Sequence, residues 1–332
     1  MFDAILLHSF GGPEGPDDVV PFLENVTRGR GIPRERLAQV GEHYFLFGGK
    51  SPINDQNRAL IAALRTELDA AGIDLPIYWG NRNWEPYLRD TVAEMIEAGH
   101  QRVLVVATSA FGSQSGCRQY REDLAEAVAT LDGTIELQKV PPYWNHPGFL
   151  DAMADRLDQA LASLGDRRSD ARIVFTAHSI PTAWTETAPY VGQLRAAATH
   201  LVDRVAPDAD WDLVYQSRSG PPQVPWLEPD IVDHLESLHD AGVDVVAVTP
   251  LGFVSDHMEV VYDLDTEAAA RAAELSMTMV RTPTVGTHRA FVSGLADLIG
   301  AAIAGRDRLV VVAEPAGPTC GPGCCVIARR PG

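Results

Sequence analysis

The sequence Val243-Asp244-Val245-Val246-Ala247-Val248, the break Thr249-Pro250 and then GFVSDHMEVVYDLDTE over residues 252–267 show how the chain is built. The short apolar run predicts a strand that is buried on both faces. After the break, Asp256 is placed to cap a helix whose inner face holds Val260, Val261, Leu264 and Ala268. A buried strand followed by an amphipathic helix is typical of parallel α/β sheets.

Three carboxylates follow one another along this predicted helix. Glu259, Asp263 and Glu267 are spaced four residues apart, which places them one turn apart on one side of an α-helix. A file of this kind at a strand end is suited to a hydrated cation or to proton movement. Asp256 with Glu259 three residues later is also a capping-box pattern, and acidic helix faces are often only solvated. On this stretch alone both interpretations stay open.

Similar apolar runs recur along the chain and are separated by helical patterns. They predict an α/β fold with two similar Rossmann-like lobes, each with a mostly parallel four-stranded sheet flanked by helices. We place the lobes at residues 1–145 and 146–314, with a cysteine-bearing tail at 315–332. The predicted strands are residues 4–7, 75–79, 103–107, 135–140, 173–177, 213–216, 243–248 and 309–313. The predicted helices are residues 56–71, 88–98, 118–131, 148–164, 190–204, 229–241 and 287–303.

The composition limits the classes of function. The chain has 45 acidic and 27 basic residues and a formal net charge of -18, which argues against nucleic acid as a partner and against electrostatic docking on anionic membranes. Nothing indicates a signal peptide, and no apolar run approaches the roughly 20 residues of a membrane span. We therefore expect a cytoplasmic protein without stable membrane insertion and without structural disulfides.

His178 is the strongest single candidate for chemistry. It stands at the carboxyl end of a predicted strand, where open parallel sheets bind ligands, and we expect these strand ends to line a cleft between the lobes. A neutral imidazole binds divalent metals or accepts protons near neutral pH. The alternative is a ring that is only hydrogen-bonded to backbone beside Ile180-Pro181. Glu259, from the next strand end but one, would form an acid–base pair with His178.

Six short segments of the chain, taken together, resemble the signatures of one family, and no single segment is specific enough to show this alone. They resemble, in order, the signatures of ferrochelatases, and the resemblance extends from the first strand to about residue 315. It is greatest to the actinobacterial branch, which implies a lyase-class metal chelatase of haem biosynthesis that inserts Fe²⁺ into coproporphyrin III and releases two protons. The segments are SFGGP (9–13), GGKSP (48–52), GNRNW (80–84), TAHSIP (176–181), YQSRSGP with PWL (215–221, 225–227) and FVSDHME (253–259).

The resemblance implies roles for particular residues. His178 and Glu259 resemble the catalytic pair that meets the Fe²⁺ substrate, with His178 as metal contact or as proton acceptor. Asp263 and Glu267 resemble the acidic ladder, a route for protons or hydrated metal. The resemblance and the need for aromatic walls and propionate contacts give these porphyrin-binding candidates: Phe10, Arg28, Arg30, Tyr44, Ser51, Tyr120, Trp184 and Tyr190.

Phe10 departs from part of the branch. Some coproporphyrin enzymes carry a tyrosine here that ligates the product iron. A phenyl ring has no ligand atom, so we expect Phe10 to pack against the porphyrin ring instead.

The chain has four cysteines, and three of them crowd into a tail rich in Gly and Pro. Four thiolates suit a [2Fe–2S] cluster or Zn²⁺, and the spacing does not distinguish these from a tail without a metal. The resemblance implies a [2Fe–2S] cofactor held by one internal and three C-terminal cysteines. The corresponding residues are Cys117, Cys320, Cys324 and Cys325.

Three other functions remain as alternatives. One is a ferrochelatase that acts on protoporphyrin, and another is a related chelatase that inserts cobalt or nickel into a different tetrapyrrole. The third is a two-lobed protein that binds haem or metal without catalysis. We expect a monomer whose only partner, besides the porphyrin, is a transient one of the haem pathway.

Overall fold

The computed structural model describes residues 1–29, 31–318 and 324–325. These residues form two compact units, and each unit holds one four-stranded parallel sheet. The predicted fold class is therefore confirmed, and the borders at residues 145 and 314 stay predictions. Unit 1 consists of Met1–Thr108, Tyr120–Val140 and Leu295–Asp307, and unit 2 of Ser109–Gln119, Pro141–Gly294 and the described residues from Arg308 onward.

Unit 1 alternates strands with helices. In chain order its elements are β1 (Ala4–Ser9), α1 (Pro16–Val26), α2 (Arg34–Phe45), α3 (Ile53–Ala70), β2 (Ile77–Asn81), α4 (Leu88–Glu97), β3 (Arg102–Ala107), α5 (Gln119–Ala129) and β4 (Glu136–Lys139). The sheet has the order β2-β1-β3-β4, and all its pairs are parallel. β1 and β3 are the inner strands and are buried along nearly their whole length, which explains their continuous apolar sequences.

Unit 2 repeats this plan with a different helical end. Its elements are a π-helical turn (Gln114–Arg118), α6 (Pro147–Ala162), a 3-10 turn (Gly165–Asp170), β5 (Arg172–His178), a second 3-10 turn (Thr182–Glu186), α7 (Tyr190–Val205), β6 (Trp211–Gln216), α8 (Ile231–Asp240), β7 (Val245–Thr249), α9 (Met258–Val260), a π-helix (Val261–Ala268), α10 (Ala269–Glu274) and β8 (Thr278–Arg281). α11 (Arg289–Ala304) begins in unit 2 and ends in unit 1. The sheet order is β6-β5-β7-β8, so β6 and β8 are its edge strands.

One predicted strand is wrong. Residues 309–313 are not a strand, and Leu309 and Val311 are 55% and 52% exposed. The eighth strand is β8, a half-buried edge strand with the sequence TMVR. The error has a physical cause, because an edge strand with one covered face has a weaker apolar pattern than the exposed run LVVVA.

Among the described residues, no helix has both the length and the apolar content that crossing a membrane requires.

Candidate active site

The carboxyl ends of β5 and β6 place His178 beside Gln216, which is its partner in the strand register. The loop after β7 comes to the same place. A Cβ atom at Gly252 would lie 2.7 Å from Cβ of Ala177, so only glycine permits this close approach. The loop that leads into α9 is therefore held against the end of β5, next to His178.

The hydrogen bond of His178 determines which ring nitrogen is available. Nδ1 lies 2.5 Å from the carbonyl oxygen of Ser179. A carbonyl only accepts, so Nδ1 carries the proton and Nε2 of the neutral ring has a free lone pair. Nε2 is 3.9 Å from Oε2 of Glu259. That distance is too long for a hydrogen bond, and both side chains are partly exposed, so each can receive an ion or a proton.

Glu259 and Asp263 stand on a helix that is mostly not an α-helix. α9 has only three residues, and Val261–Ala268 follows as a π-helix with wide i→i+5 turns. π-Helical turns are rare and occur frequently at functional sites. The prediction of a regular α-helix here is wrong, although the carboxylates of Glu259, Asp263 and Glu267 are close enough to influence one another.

The predicted helix cap at Asp256 is also wrong. His257 is the N-cap residue, and its side chain makes no capping hydrogen bond. Asp256 instead accepts hydrogen bonds from Nη1 of Arg281 at 2.6 Å and from Oγ1 of Thr284 at 2.9 Å. The carboxylate of Asp256 is therefore hydrogen-bonded to residues that are distant along the chain and not to the start of the helix.

Asp263 is the most perturbed carboxyl group of the site. Burial raises its pKa to about 7, and the negative charges of Glu259 and Glu267 act in the same direction. Oδ2 accepts hydrogen bonds from Oγ of Ser217 at 2.5 Å and from Nε2 of Gln216 at 3.2 Å, which oppose the rise. A carboxyl group with a pKa near 7 takes up and releases protons at neutral pH.

Gln216 and Ser217 are site residues that sequence reasoning did not select. Gln216 is buried and donates to the carbonyl oxygen of Glu259 as well as to Asp263. Ser217 has a φ of 59°, in the left-handed region that is uncommon for residues other than glycine. Both lie in the segment YQSRSGP at a strand end, and that position was the available signal.

Glu267, the last of the three carboxylates, and the neighbouring His257 lie in different surroundings. Glu267 is exposed, and its hydrogen bond with Tyr262 contributes to the raised pKa of that phenol. His257 packs edge-on against Phe253, with 5.1 Å between the ring centroids, and burial lowers its pKa. This placement agrees with a structural role for His257.

In unit 1, two predicted porphyrin contacts pack on one ring. Phe10 and Tyr44 lie edge-on to Phe22, with centroid distances of 6.2 and 5.8 Å. Ser51 is buried behind Gly12, where an added Cβ would come within 2.7 Å of the serine side chain.

Arg28 is exposed, and its Nη2 donates to Oδ1 of Asn25 at 2.5 Å. This leaves the guanidinium at the surface of unit 1. Arg30, the other predicted arginine of this segment, lies outside the described residues.

Tyr120 lies deeper in unit 1 than a surface contact does. Its ring centroid is 4.7 Å from that of His8, and Cζ of Arg82 is 4.3 Å above the ring. Arg82 in turn forms an ion pair with Asp123 at 2.5 Å. Burial raises the pKa of the Tyr120 phenol. Its role as a porphyrin contact stays a prediction.

Trp184 and Tyr190 follow the end of β5 in unit 2. Trp184 is half-buried in the 3-10 turn Thr182–Glu186. Tyr190 is buried, and its hydroxyl donates to the backbone carbonyl of His178 at 3.2 Å. Tyr190 thus supports the backbone that carries the candidate ligand.

Two of the predicted thiols belong to the end of the described chain, and one to the turn Gln114–Arg118. Cys117 and Cys325 are buried, and Cys324 is half-buried. Nη1 of Arg118 donates to the carbonyl oxygen of Cys324 at 3.1 Å, so the tail lies beside the turn that carries Cys117. Cys320 lies outside the described residues. Within the part of the chain that is described, no group of three His, Cys, Asp or Glu side chains is spaced to hold a metal ion.

Paired parallel sheets, with an imidazole and a file of carboxylates at the strand ends of one of them, define a chelatase-like protein. The solved structures agree on the fold. SirB from Bacillus subtilis, determined with Fe³⁺, has a TM-score of 0.54 at 13% identity, covering 93% of this chain and all of that one. A sirohydrochlorin chelatase SirB from B. subtilis subspecies spizizenii, in complex with cobalt, has a TM-score of 0.53 at 12% identity, covering 91% and 95%.

The chain belongs to the ferrochelatase family, because the ferrochelatase family model matches residues 2–303. A coproporphyrin III ferrochelatase of Streptomyces coelicolor is 56% identical over 317 residues, which cover 90% of this chain and 84% of that protein. One from Nocardia farcinica is 52% identical over 345 residues, covering 99% and 98%. The resemblance found in the motifs is therefore confirmed along almost the whole chain.

Proposed function

We propose that this protein inserts Fe²⁺ into coproporphyrin III in haem biosynthesis. The substrate is supported by relatives that bear this activity in their names and are more than 50% identical to the chain. The observation that carries the chemistry is the geometry of His178. Its Nδ1 is bonded to Ser179, so that Nε2 faces Glu259 at 3.9 Å with its lone pair free.

The reaction requires proton removal and no electron transfer. Two pyrrole N–H bonds break, bonds between iron and the pyrrole nitrogens form, two protons leave, and iron stays ferrous. Nε2 of His178 is suited to accept a pyrrole proton or to contact the incoming metal, because its lone pair is free. Glu259 supplies a carboxylate that stabilises either the imidazolium or the cation.

Asp263 and Glu267 extend this pair into a path. Asp263, whose pKa is raised to about 7 mainly by burial, accepts and releases protons at the pH at which the reaction runs. Glu267 is exposed and connects the file to solvent. The same carboxylate oxygens are suitable ligands for a hydrated divalent cation. The three carboxylates are therefore suited to carry protons away from the pair or a hydrated cation towards it.

The porphyrin contacts are proposed residue by residue. Phe10 and Trp184 present partly exposed aromatic rings, and the ring of Tyr44 is buried against Phe22. Arg28 presents a guanidinium that matches a propionate carboxylate. The side chains of Ser51, Tyr120 and Tyr190 are buried, and we propose that they act by supporting the surfaces around them. Arg30 is retained on its sequence position alone.

The direct test is an anaerobic metalation assay with the purified full chain. Coproporphyrin III and Fe²⁺ should give the spectrum of a ferrous porphyrin, and protoporphyrin IX under the same conditions should react more slowly. His178→Ala should abolish turnover while the melting temperature stays close to that of the wild-type protein. A wild-type protein that binds coproporphyrin but never metalates it would exclude the proposed enzyme, and faster metalation of protoporphyrin would reassign the substrate.

We also propose that the four cysteines hold a [2Fe–2S] cluster. The resemblance of the cysteine pattern to that of the family supports this, and Arg118, next to Cys117, donates to the backbone carbonyl of Cys324, so the backbone at Cys324 lies beside the turn of Cys117. Cys320 would complete the set. A cluster of this kind supplies structural cross-linking and a redox-sensitive group, and metalation itself needs neither.

The cluster proposal has its own readout, which does not depend on turnover. Protein purified without chelators should be red-brown and contain iron and acid-labile sulfide in equal amounts, and Cys117→Ser should lose the colour. Zinc in place of iron and sulfide would contradict the cluster. The same preparation should sediment as a monomer. We also propose a cytoplasmic location for the protein.

A further inference from the structure

The π-helix of unit 2 is held from both edges of its sheet. On one side Asp263 accepts hydrogen bonds from Gln216 and Ser217, at the end of edge strand β6. On the other side Asp265, two residues later, pairs with Arg281, the last residue of the opposite edge strand β8. Consecutive parts of one wide turn are thus tied to opposite edges.

Arg281 makes more of these contacts than any single group on the β6 side. Its Nε and Nη2 bond the two carboxylate oxygens of Asp265 as a fork, with Nη2 to Oδ2 at 3.0 Å. Its Nη1 donates to Oδ1 of Asp256 at 2.6 Å. Asp256 immediately precedes the helical segment, and Asp265 lies in the middle of the π-helix. One guanidinium therefore joins the entry of the segment to its wide turn.

Apolar packing holds the buried face of the helix, where Val260, Leu264 and Ala268 belong to the core. An open depression of about 360 Å³ adjoins Arg281, and its other lining residues include Leu264 of the π-helix and Met277 and Met279 next to it in space. Close packing normally fixes a helix in one position. On the exposed side of the helix, beside this depression, the ion pairs of Arg281 provide the fixed contact.

We propose that Arg281 is a positioning residue that keeps Val261–Ala268 in the π-helical form, and so sets the spacing of Glu259, Asp263 and Glu267. An α-helix is the ordinary conformation for such a sequence, and a π-turn persists only when its surroundings determine it. A return to α-helical turns would rotate Asp263 and Glu267 relative to Glu259. Arg281 touches neither porphyrin nor metal in this role, which rests on the proposed function.

The test compares Arg281→Gln and Arg281→Lys with the wild-type protein. Because a displacement of about 1 Å can reduce a rate on the order of 100-fold, we expect Arg281→Gln to lower kcat by about 10-fold to 100-fold. The dissociation constant for coproporphyrin III without metal, measured by fluorescence, should stay within about two-fold. Arg281→Lys keeps the charge and loses the fork, and should recover only part of kcat.

A second readout follows the helix itself. Backbone amides of residues 261–268 should exchange hydrogen faster in Arg281→Gln than in the wild-type protein, by about 10-fold, because local opening becomes easier. Asp265→Asn removes the same fork from an exposed side chain and should reproduce both effects, which secures the test if Arg281→Gln does not fold. In the double variant the two losses should not add.

Arg271→Gln is the matched control, since Arg271 on α10 also pairs with two carboxylates, Glu236 and Glu274, but at the surface. It should leave kcat and exchange unchanged. Unchanged kcat and exchange in both Arg281→Gln and Asp265→Asn would overturn the proposal, as would a loss confined to porphyrin affinity. Inactivity of the wild-type protein would instead refute the proposed function, and the exchange measurement would still report on Arg281.

Discussion

Burial of the Asp263 carboxyl group disfavours its ionised form, and the same burial gives it the pKa that proton transfer near neutral pH requires. Burial raises its pKa to about 7, and Ser217 and Gln216 lower it again without restoring the usual value of an aspartate. Its carboxylate is therefore ionised in the unfolded chain at neutral pH but only partly ionised in the folded one. Residues that are perturbed in this way by burial and like charges are typical of active sites.

The first prediction concerns activity and stability at Asp263. Because the folded pKa lies above the unfolded one, ionisation of Asp263 disfavours the folded state as pH rises through about 7. Asp263→Asn should therefore melt at a higher temperature than the wild-type protein at pH 8, and by a smaller margin at pH 5.5. Its metalation rate should be lower and should lose the rise that we expect of the wild-type rate between pH 6 and 8. Equal melting temperatures at both pH values would contradict the raised pKa.

His8 is a second residue with an unusual environment. It is fully buried in β1, and neither ring nitrogen has a hydrogen-bond partner in the described part of the chain. Burial, followed by the charges of Arg82 and Lys139, lowers its pKa well below the usual value, so the folded protein holds the ring neutral. Nothing in the proposed reaction uses this group.

His8→Leu should accordingly stabilise the protein. Removing buried polar atoms without partners gains on the order of 1–3 kcal/mol. The gain should be larger at pH 5.5 than at pH 8, since the unfolded His8 binds a proton below about pH 6.5 and the folded one does not. Urea unfolding at the two pH values measures the difference. A less stable variant at both would show that the ring has a partner.

At the scale of elements, hydrogen bonds join the end of β6 to the π-helix. Ser217 adopts a left-handed backbone conformation and donates to Asp263, and Gln216 bonds both Asp263 and the backbone of Glu259. Strain at a residue other than glycine persists where surrounding contacts determine it. The end of β6 thus holds the carboxylate of Asp263 in place.

Ser217→Ala tests this link. It removes a hydrogen bond that lowers the pKa of Asp263, so that pKa should rise further. The pH at which the metalation rate reaches half its maximum should move upward, and the dissociation constant for coproporphyrin III should not change. Ser237→Ala is a suitable control, because the Ser237 hydroxyl only bonds the carbonyl of Asp233 within α8. An unshifted pH profile would separate Ser217 from the titration of Asp263.

Strand prediction succeeded where both faces of a strand are buried, whereas the helices α1 and α2 were not predicted although each buries one face. The inner strands β1, β3, β5 and β7 were found within two residues, because their apolar runs reflect burial that any parallel sheet imposes. β8 was missed because an edge strand has fewer apolar positions. The π-helix was missed because its sequence has the apolar spacing of an α-helix, and the contacts that Ser217 and Arg281 make with it come from segments distant along the chain.

At the scale of the whole molecule, the described residues after Arg308 are hydrogen-bonded to the rest of unit 2 at two places. Glu314 accepts hydrogen bonds from Nε1 of Trp144 at 3.3 Å and from Nε2 of Gln193 at 3.0 Å. Farther along, the backbone N–H of Cys325 donates to the carbonyl oxygen of Thr187 at 3.0 Å. Glu314 and Cys325 are therefore each hydrogen-bonded to the body of unit 2.

A chain truncated after Pro318 should be less stable than one that carries only Cys117→Ser. Both should lose the colour of the proposed cluster. Only the truncated chain also loses the hydrogen bonds of Cys324 and Cys325, each worth about 1 kcal/mol. Its melting temperature should lie a few degrees below that of Cys117→Ser. Identical melting temperatures would show that the tail is held by the metal alone.

The sequence by itself determined the two α/β sheets and the family, and it supplied His178, Glu259 and the carboxylates that follow as candidate site residues. These depend on local patterns, since apolar runs record burial and strand ends record where ligands bind. Only the tertiary structure decided which nitrogen of His178 is free, why the pKa of Asp263 rises, and that Asp256 pairs with Arg281 and does not cap a helix. Those properties arise from contacts between residues that are distant along the chain, and no local pattern contains them.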